Sequence, residues 1–259
     1  MNEIDPSLRP TERFSSRVEA YRRFRSRYPR EIIPLLEERC ALTRESVIAD
    51  IGAGTGMLAE LFLENGNRVY AVEPNADMRA VCEELVPRHP LLTCVDGAAE
   101  ETHLPDRSAD FVAIGRALHW FDQARCRPEF IRILRPGGWV VLASQGPHTR
   151  SEPVVRDFQT ILKEHGLDYA QMRHRYDLDN LARRLYAGGE FHEAEFASAE
   201  EMTYEELEGF MLSLSVTPQP AHPGFPAMQQ ALREYFARHE SGGKIRIPMT
   251  CKIHFGHLG

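Results

Sequence analysis

The run Asp50-Ile51-Gly52-Ala53-Gly54-Thr55-Gly56 gathers residues whose types and spacing suit ligand chemistry. Glycines at alternate positions allow a tight turn and let a ligand approach the backbone closely. Asp50 stands two residues before the first glycine, and Glu73 follows seventeen residues after the last. A carboxylate at that distance can accept hydrogen bonds from both hydroxyls of a ribose. Further on, Gly115-Arg116-Ala117-Leu118-His119-Trp120-Phe121 offers an imidazole able to act as a general base or to polarise a carboxylate.

The elements around these residues alternate in type. Val47 to Ile51 reads as a buried strand, and Leu58, Leu61 and Phe62 mark one face of a helix that Gly66 can end. Arg68 to Glu73 is a second strand. Met78, Val81, Cys82 and Leu85 fall at i, i+3, i+4 and i+7 of a second helix. Leu91 to Val95 and Phe111 to Ile114 are further strands. A helix carrying Phe130, Ile131 and Leu134 leads into a fifth strand, Trp139 to Ala143. This alternation predicts a parallel sheet with helices on both faces, where ligands bind outside the carboxyl ends of the strands. The glycine loop and the segment from Gly115 both lie at such ends.

Flanking this core, residues 10–40 read as helix interrupted at Pro29 and Pro34, and residues 147–190 as charged helices. A strand is expected over Phe191 to Ala197. From Ile245 to Phe255 apolar residues alternate with Arg246, Pro248, Thr250, Lys252 and His254. That is a strand with one apolar face, expected to be antiparallel and near an edge, because Pro248 cannot donate to a ladder.

Composition narrows the function classes. The chain has 259 residues, 42% hydrophobic and 27% charged, with a formal net charge of -7, which argues against general nucleic-acid binding. Residues 1–30 nevertheless hold eight arginines against four acids. Five scattered cysteines without a CxxC pair speak against a disulfide framework or zinc site and fit a reducing, cytoplasmic setting. The histidines His103, His148, His174 and His192 form no H-x-x-x-H, so no metal site is expected. Neither a signal peptide nor a membrane span is read from the chain.

The loop spacing is G-x-G-x-G. A dinucleotide fingerprint would need glycine where Met57 stands. In this the chain resembles the class I S-adenosylmethionine-dependent methyltransferases, whose acid-GxGxG loop runs past the methionine part of the cofactor. Four more segments are similar in order and spacing: Val72-Glu73-Pro74-Asn75, Gly97-Ala98-Ala99-Glu100 with Leu104-Pro105, Ser108 to Val112, and Leu134-Arg135-Pro136-Gly137-Gly138. The resemblance covers about residues 46–144. It implies a Rossmann-like, doubly wound, mostly parallel seven-stranded sheet with an antiparallel last strand and a helical cap.

It also implies that S-adenosyl-L-methionine, leaving as S-adenosyl-L-homocysteine, lies against Asp50, Gly52, Ala53, Gly54, Thr55, Gly56, Glu73, Pro74, Met78, Ala98, Ala99, Glu100, Arg116 and Ala117. The family often has an acid where Ala98 stands, so recognition of the adenine falls to Glu100 or to backbone near Ala99. Tyr21, Arg25, Tyr28 and Pro29 form a "YxxxRxxYP" pattern. In similar small-molecule enzymes this segment covers the cofactor, Arg25 pairing with its carboxylate and Tyr21 closing the pocket. The "AxHWF" string resembles the trans-aconitate methyltransferases and related type 11 enzymes, with His119 as the candidate catalytic base.

The organisation expected is a helical segment over the cofactor site at 1–45, a cofactor core at 46–146, a helical cap at 147–190, and two strands with intervening lid helices at 191–259. Substrate choice is assigned to 1–40, 147–190 and 200–243, with Arg173, His174 and Arg175 as candidates for an anionic substrate. A lid of this length favours an enclosed small molecule, with no nucleic-acid or membrane partner, for a monomer or homodimer. Two readings remain beside the methyltransferase. One is a protein that binds S-adenosylmethionine or S-adenosylhomocysteine without turnover. The other is an NAD(P)-dependent oxidoreductase.

Overall fold

The structure, a computed structural model, describes residues 14–147, 152–169 and 177–258. His148, Arg173, His174 and Arg175 lie outside the described residues. In chain order the strands are β1 (Val47–Ile51), β2 (Arg68–Val72), β3 (Leu92–Val95), β4 (Ala109–Gly115), β5 (Leu134–Gly146), β6 (Phe191–Met202), β7 (Glu240–Ser241) and β8 (Lys244–Gly256). The helices are α1 (Val18–Phe24), α2 (Ile32–Cys40), α3 (Met57–Asn65), α4 (Ala76–Glu83), α5 (Gln123–Ile133), α6 (Pro153–His165), α7 (Leu178–Tyr186), α8 (Tyr204–Ser213) and α9 (Phe225–His239).

The sheet runs β3-β2-β1-β4-β5-β8-β6, with the two-residue β7 paired to β8 off this path. β1 to β5 pair in parallel, while β8 is antiparallel to both β5 and β6. This is the Rossmann-like methyltransferase fold, with eight strands where seven were expected because the hairpin at Gly242 and Gly243 adds β7. The chain order reverses between β1 and β4, which opens a crevice at their carboxyl ends.

One sequence expectation needs correction. Pro34 does not break a helix. It sits in the first turn of α2, where the backbone N–H has no intrahelical partner to lose. β8 is antiparallel and, as expected, near an edge, one strand in from it. Its residues 250–256 lie between β5 and β6. Pro248 is tolerated because it lies before the stretch that β5 reaches and pairs only with Ala199 of β6.

The core divides along β8. On one face of the sheet α2, α3 and α4 pack with Cys251, Ile253 and Phe255. On the other, α5 and α7 pack on β1, β4 and β5. A third cluster joins α6, α8 and α9 to Ile245, Ile247 and Met249. The apolar face of β8 therefore serves the lid in its first half and the main core in its second. Its other face is buried at Thr250 and His254 and half-buried at Lys252, and α7 covers it at His254. There the Tyr186 hydroxyl donates to the Val140 carbonyl at 3.0 Å, and His254 meets Asp179 at 3.1 Å.

Candidate cofactor and substrate site

β1 delivers the chain into the crevice, and the glycine loop begins where it ends. The N–H groups of Gly52 and Ala53 donate to the Val72 carbonyl at 2.9 and 3.1 Å, hooking the loop onto the end of β2. Gly52, Gly54 and Gly56 all have positive φ, a region that L side chains rarely adopt. The reasons for glycine differ along the loop. A Cβ on Gly52 would stand 2.7 Å from that of Ala117, and one on Gly56 would stand 2.8 Å from Cys82 Sγ. At Gly54 nothing lies within 4 Å, so its open side is free to meet a ligand.

The two acids lie at neighbouring strand ends. Glu73 accepts the Gly54 N–H at 2.9 Å through one oxygen and the Asn75 N–H at 2.8 Å through the other. Burial raises its pKa, against the pull of these two donors and of Arg79. Asp50 is 1% exposed. Neither of its oxygens has a well-formed hydrogen bond among the described residues. Burial pushes its carboxyl up to about 7, with Glu73 adding to the rise and the Ala59 N–H opposing it. A buried carboxylate without its full complement of donors calls for a cationic or N–H-bearing group. The α-amino group of S-adenosylmethionine fits that need, and Glu73 and the open side of Gly54 fit the rest of the molecule.

The other expected cofactor residues divide. Asn75 caps α4 by accepting the Met78 N–H at 2.9 Å, and Met78 is buried while Pro74 is exposed. Ala98 exchanges backbone hydrogen bonds with Glu101, and Ala99 is buried in the core. The Glu100 carboxylate accepts the Asp122 N–H at 2.7 Å and so ties this turn to the segment after His119. Thr55 lines a smaller cleft between α1 and α3.

Beyond Arg116 and Ala117 opens a cavity of about 900 Å³. Tyr21 and Arg25 of α1 face it, as do Arg116, Ala117, His119 and Trp120. The Arg116 guanidinium lies 5.6 Å from the Tyr21 ring centre and 5.0 Å from that of Tyr28, and Arg25 lies 5.0 Å from Tyr21. His119 packs beside Trp120, ring centres 4.8 Å apart. Phe158 of α6 and Phe210 of α8 add apolar wall. Sequence reasoning missed both, since each looks like an ordinary core residue of an amphipathic helix. It also missed Gln145, which lines the cavity at 6% exposure with an amide oxygen that has no partner among the described residues. Its position at the carboxyl end of β5 was the available signal.

α1 is held over the cavity by Arg17. This buried side chain donates to the Leu214 carbonyl at 2.7 Å and the Thr217 carbonyl at 2.7 Å, just past the end of α8. Arg17 is thus an internal anchor and not a solvated cation. The fold also brings Asp179, Glu193 and His254 together, with donor atoms within 4.8 Å, although no spacing suggested a cluster. Lys252, paired with Glu195 at 3.0 Å, adds positive charge beside them.

With the crevice, the glycine loop and the two acids in place, the relationship to known proteins can be stated. Residues 49–142 match the family described as a methyltransferase domain. Over that stretch the chain is similar to methyltransferase domains. An uncharacterized methyltransferase of Mycobacterium tuberculosis is 42% identical over 125 residues, 48% of this chain and 49% of the relative. Another from Schizosaccharomyces pombe is 29% identical over 130 residues, 50% of this chain and 51% of the relative. The chain thus spans about half the length of the curated relatives it matches. Among solved structures, a provisionally assigned type II methyltransferase from Anaeromyxobacter dehalogenans superposes with a TM-score of 0.65 at 24% identity, covering 91% of this chain and 98% of that one. Phosphoethanolamine N-methyltransferase 2 of Haemonchus contortus, solved with phosphomonomethylethanolamine and S-adenosylhomocysteine, gives 0.53 at 18% identity, covering 93% and 56%. These similarities extend the shared fold beyond residues 49–142 to most of the chain. No helix among the described residues is long and apolar enough to cross a membrane.

Proposed function

We propose that this protein transfers a methyl group from S-adenosylmethionine to a small molecule held in the cavity beneath α1, α6 and α8. The observation that carries the reading is the adjacency of two sites. The glycine loop packs on Ala117 closely enough at Gly52 that an added Cβ would stand 2.7 Å from the Ala117 side chain, and Ala117 lines the cavity. Asp50 would receive the cofactor's ammonium group, Glu73 its ribose hydroxyls, and Arg25 its carboxylate. When bound, the sulfonium supplies a methyl carbon whose leaving group is already activated.

The chain then has to align the acceptor and exclude water, which is worth several kcal/mol of the barrier. Tyr21, Trp120, Phe158 and Phe210 would hold a substrate with apolar or aromatic surface. Arg116 and Gln145 would orient its polar end, one donating and the other accepting. His119 would remove a proton if the nucleophile is a phenol or amine, whereas a carboxylate needs no base. The acidic net charge and the roofed cavity favour a free small molecule over nucleic acid or membrane. A monomer or homodimer suffices for this chemistry.

Thermal shift with S-adenosylhomocysteine and with NAD tests the cofactor, and stabilisation by NAD alone overturns the reading. Methyl-donor consumption across carboxylates, phenols and amines then tests turnover. Binding without consumption of the donor in any of them would favour a protein that only holds the cofactor. With a phenol or amine substrate, His119→Ala is expected to lower kcat by about 10²–10⁴-fold.

A further inference from the structure

A pair of thiols outside the reaction chemistry reaches the glycine loop through one of its members. Cys82, near the end of α4, and Cys94, on β3, have sulfurs 3.6 Å apart. Cys82 is 1% exposed, whereas Cys94 is only half-buried and so reachable from solvent. The Cys82 sulfur packs against the left-handed turn of Gly56, where a methyl group would come within 2.8 Å of it. The same helix carries Asn75 at its N-cap and Arg79, which donates to the Glu73 carbonyl at 2.7 Å. Cys82 is thus a packing link between β3 and the glycine loop.

The two sulfurs differ in character. The hydrogen bond with Cys82 and the Arg79 guanidinium lower the pKa of Cys94, against burial and the nearby Glu83. The same partnership and, after it, burial raise that of Cys82. Cys94 is therefore the thiol that ionises first and the one a small oxidant can reach.

We infer that Cys94 and Cys82 form a peroxide-oxidisable dithiol whose disulfide weakens cofactor binding at the adjoining glycine loop. The Cys94 thiolate attacks hydrogen peroxide, forming an S–O bond and breaking the O–O bond. Hydroxide leaves, takes up a proton and becomes water, and Cys94 becomes a sulfenic acid. The Cys82 sulfur then attacks that of Cys94. An S–S bond forms, the S–O bond breaks, and the departing hydroxide takes the Cys82 proton as a second water. Two thiols are oxidised and one peroxide is reduced.

Bonding requires the sulfurs to close from 3.6 Å to about 2.05 Å. Cys82 is the sulfur lodged against the loop, so closure draws it toward β3 and removes its support from Gly56. The turn loses its packing, and the backbone that meets the cofactor loosens with it. This effect rests on the cofactor site proposed above, while formation of the bond does not.

The test treats the full chain with hydrogen peroxide, blocks free thiols, maps cysteine peptides by mass spectrometry, and measures S-adenosylhomocysteine binding by calorimetry before and after. A Cys82–Cys94 peptide pair lighter by two hydrogens is expected, with affinity roughly tenfold weaker and restored by dithiothreitol. Cys94→Ser should bind normally in the reduced state and resist peroxide. Absence of the linked peptide overturns the proposal. So does a disulfide that leaves affinity unchanged, or equal peroxide sensitivity in Cys94→Ser. If the reduced protein binds no S-adenosylhomocysteine, the cofactor reading fails and the effect on binding fails with it, while the peptide map still decides the disulfide.

Discussion

Asp50 sets the pH behaviour of the site. An ordinary aspartate ionises near 3.8, and burial holds this one to about 7. Between those values the folded protein keeps a proton that the unfolded chain has lost. Its contribution to stability is full below the unfolded value and is lost as pH rises toward about 7. Glu73, also raised by burial, acts in the same direction. Asp50→Asn should therefore flatten part of the fall in thermal midpoint between pH about 4 and about 7. Cofactor binding should run the opposite way. An ionised Asp50 is needed to face an ammonium group, so S-adenosylhomocysteine affinity should rise with pH through this range. In Asp50→Asn it should drop by about 2–5 kcal/mol and lose that dependence, measured by calorimetry.

The loop glycines give a second comparison at this scale. Gly54→Ala costs roughly 1–2 kcal/mol for the left-handed backbone, and its methyl group enters open space. The protein should fold yet fail to bind S-adenosylhomocysteine. Gly56→Ala drives a methyl group against Cys82 and Leu85, so its larger loss should appear in thermal denaturation without any ligand.

Among the elements, α1 and α8 determine whether the cavity is roofed. Gly209, in the middle of α8, leaves room for the Phe24 ring of α1, whose atoms lie 2.3 to 2.5 Å from where a Cβ would stand. Helix propensity alone would favour alanine there. Overpacking at this contact should outweigh that gain, so Gly209→Ala is expected to destabilise by about 1–3 kcal/mol. It should also lift Tyr21 and Arg25 from the pocket and raise the KM of both substrates. A variant with unchanged KM would mean that α1 does not cover the site. α8 itself is well specified by its residues. Thr203 and Glu206 form a reciprocal capping box, which fixes where the helix begins.

For the whole molecule, β8 joins the main core to the cluster of α6, α8 and α9. Ile245, Ile247 and Met249 enter the lid cluster, whereas Cys251, Ile253 and Phe255 enter the main core. Burying each such side chain contributes about 1.5–3 kcal/mol. Truncation after His239 would remove both sets and leave β5 with an unpaired edge. The shortened chain should lose cooperative unfolding in calorimetry and aggregate, so the methyltransferase domain is not expected to stand without its last strand.

The sequence by itself determined the parallel core and set a glycine loop and two acids at its strand ends. Those features depend on local signals: strand-helix periodicity, glycines where the backbone must turn, and acids at strand ends. Asp50, Gly54 and Glu73 were legible for that reason. The cavity wall was decided by tertiary structure. Phe158, Phe210 and Gln145 lie far apart in the chain, and only the packing of α6 and α8 against the end of β5 turns them toward one space. The burial of the second face of β8 at Thr250 and His254 was hidden as well. Alternation along a strand shows which face is apolar, but not whether a helix such as α7 will cover the other. Likewise, the scattered cysteines gave no sign of a pair, because α4 and β3 bring Cys82 and Cys94 together only when the helix packs beside the sheet.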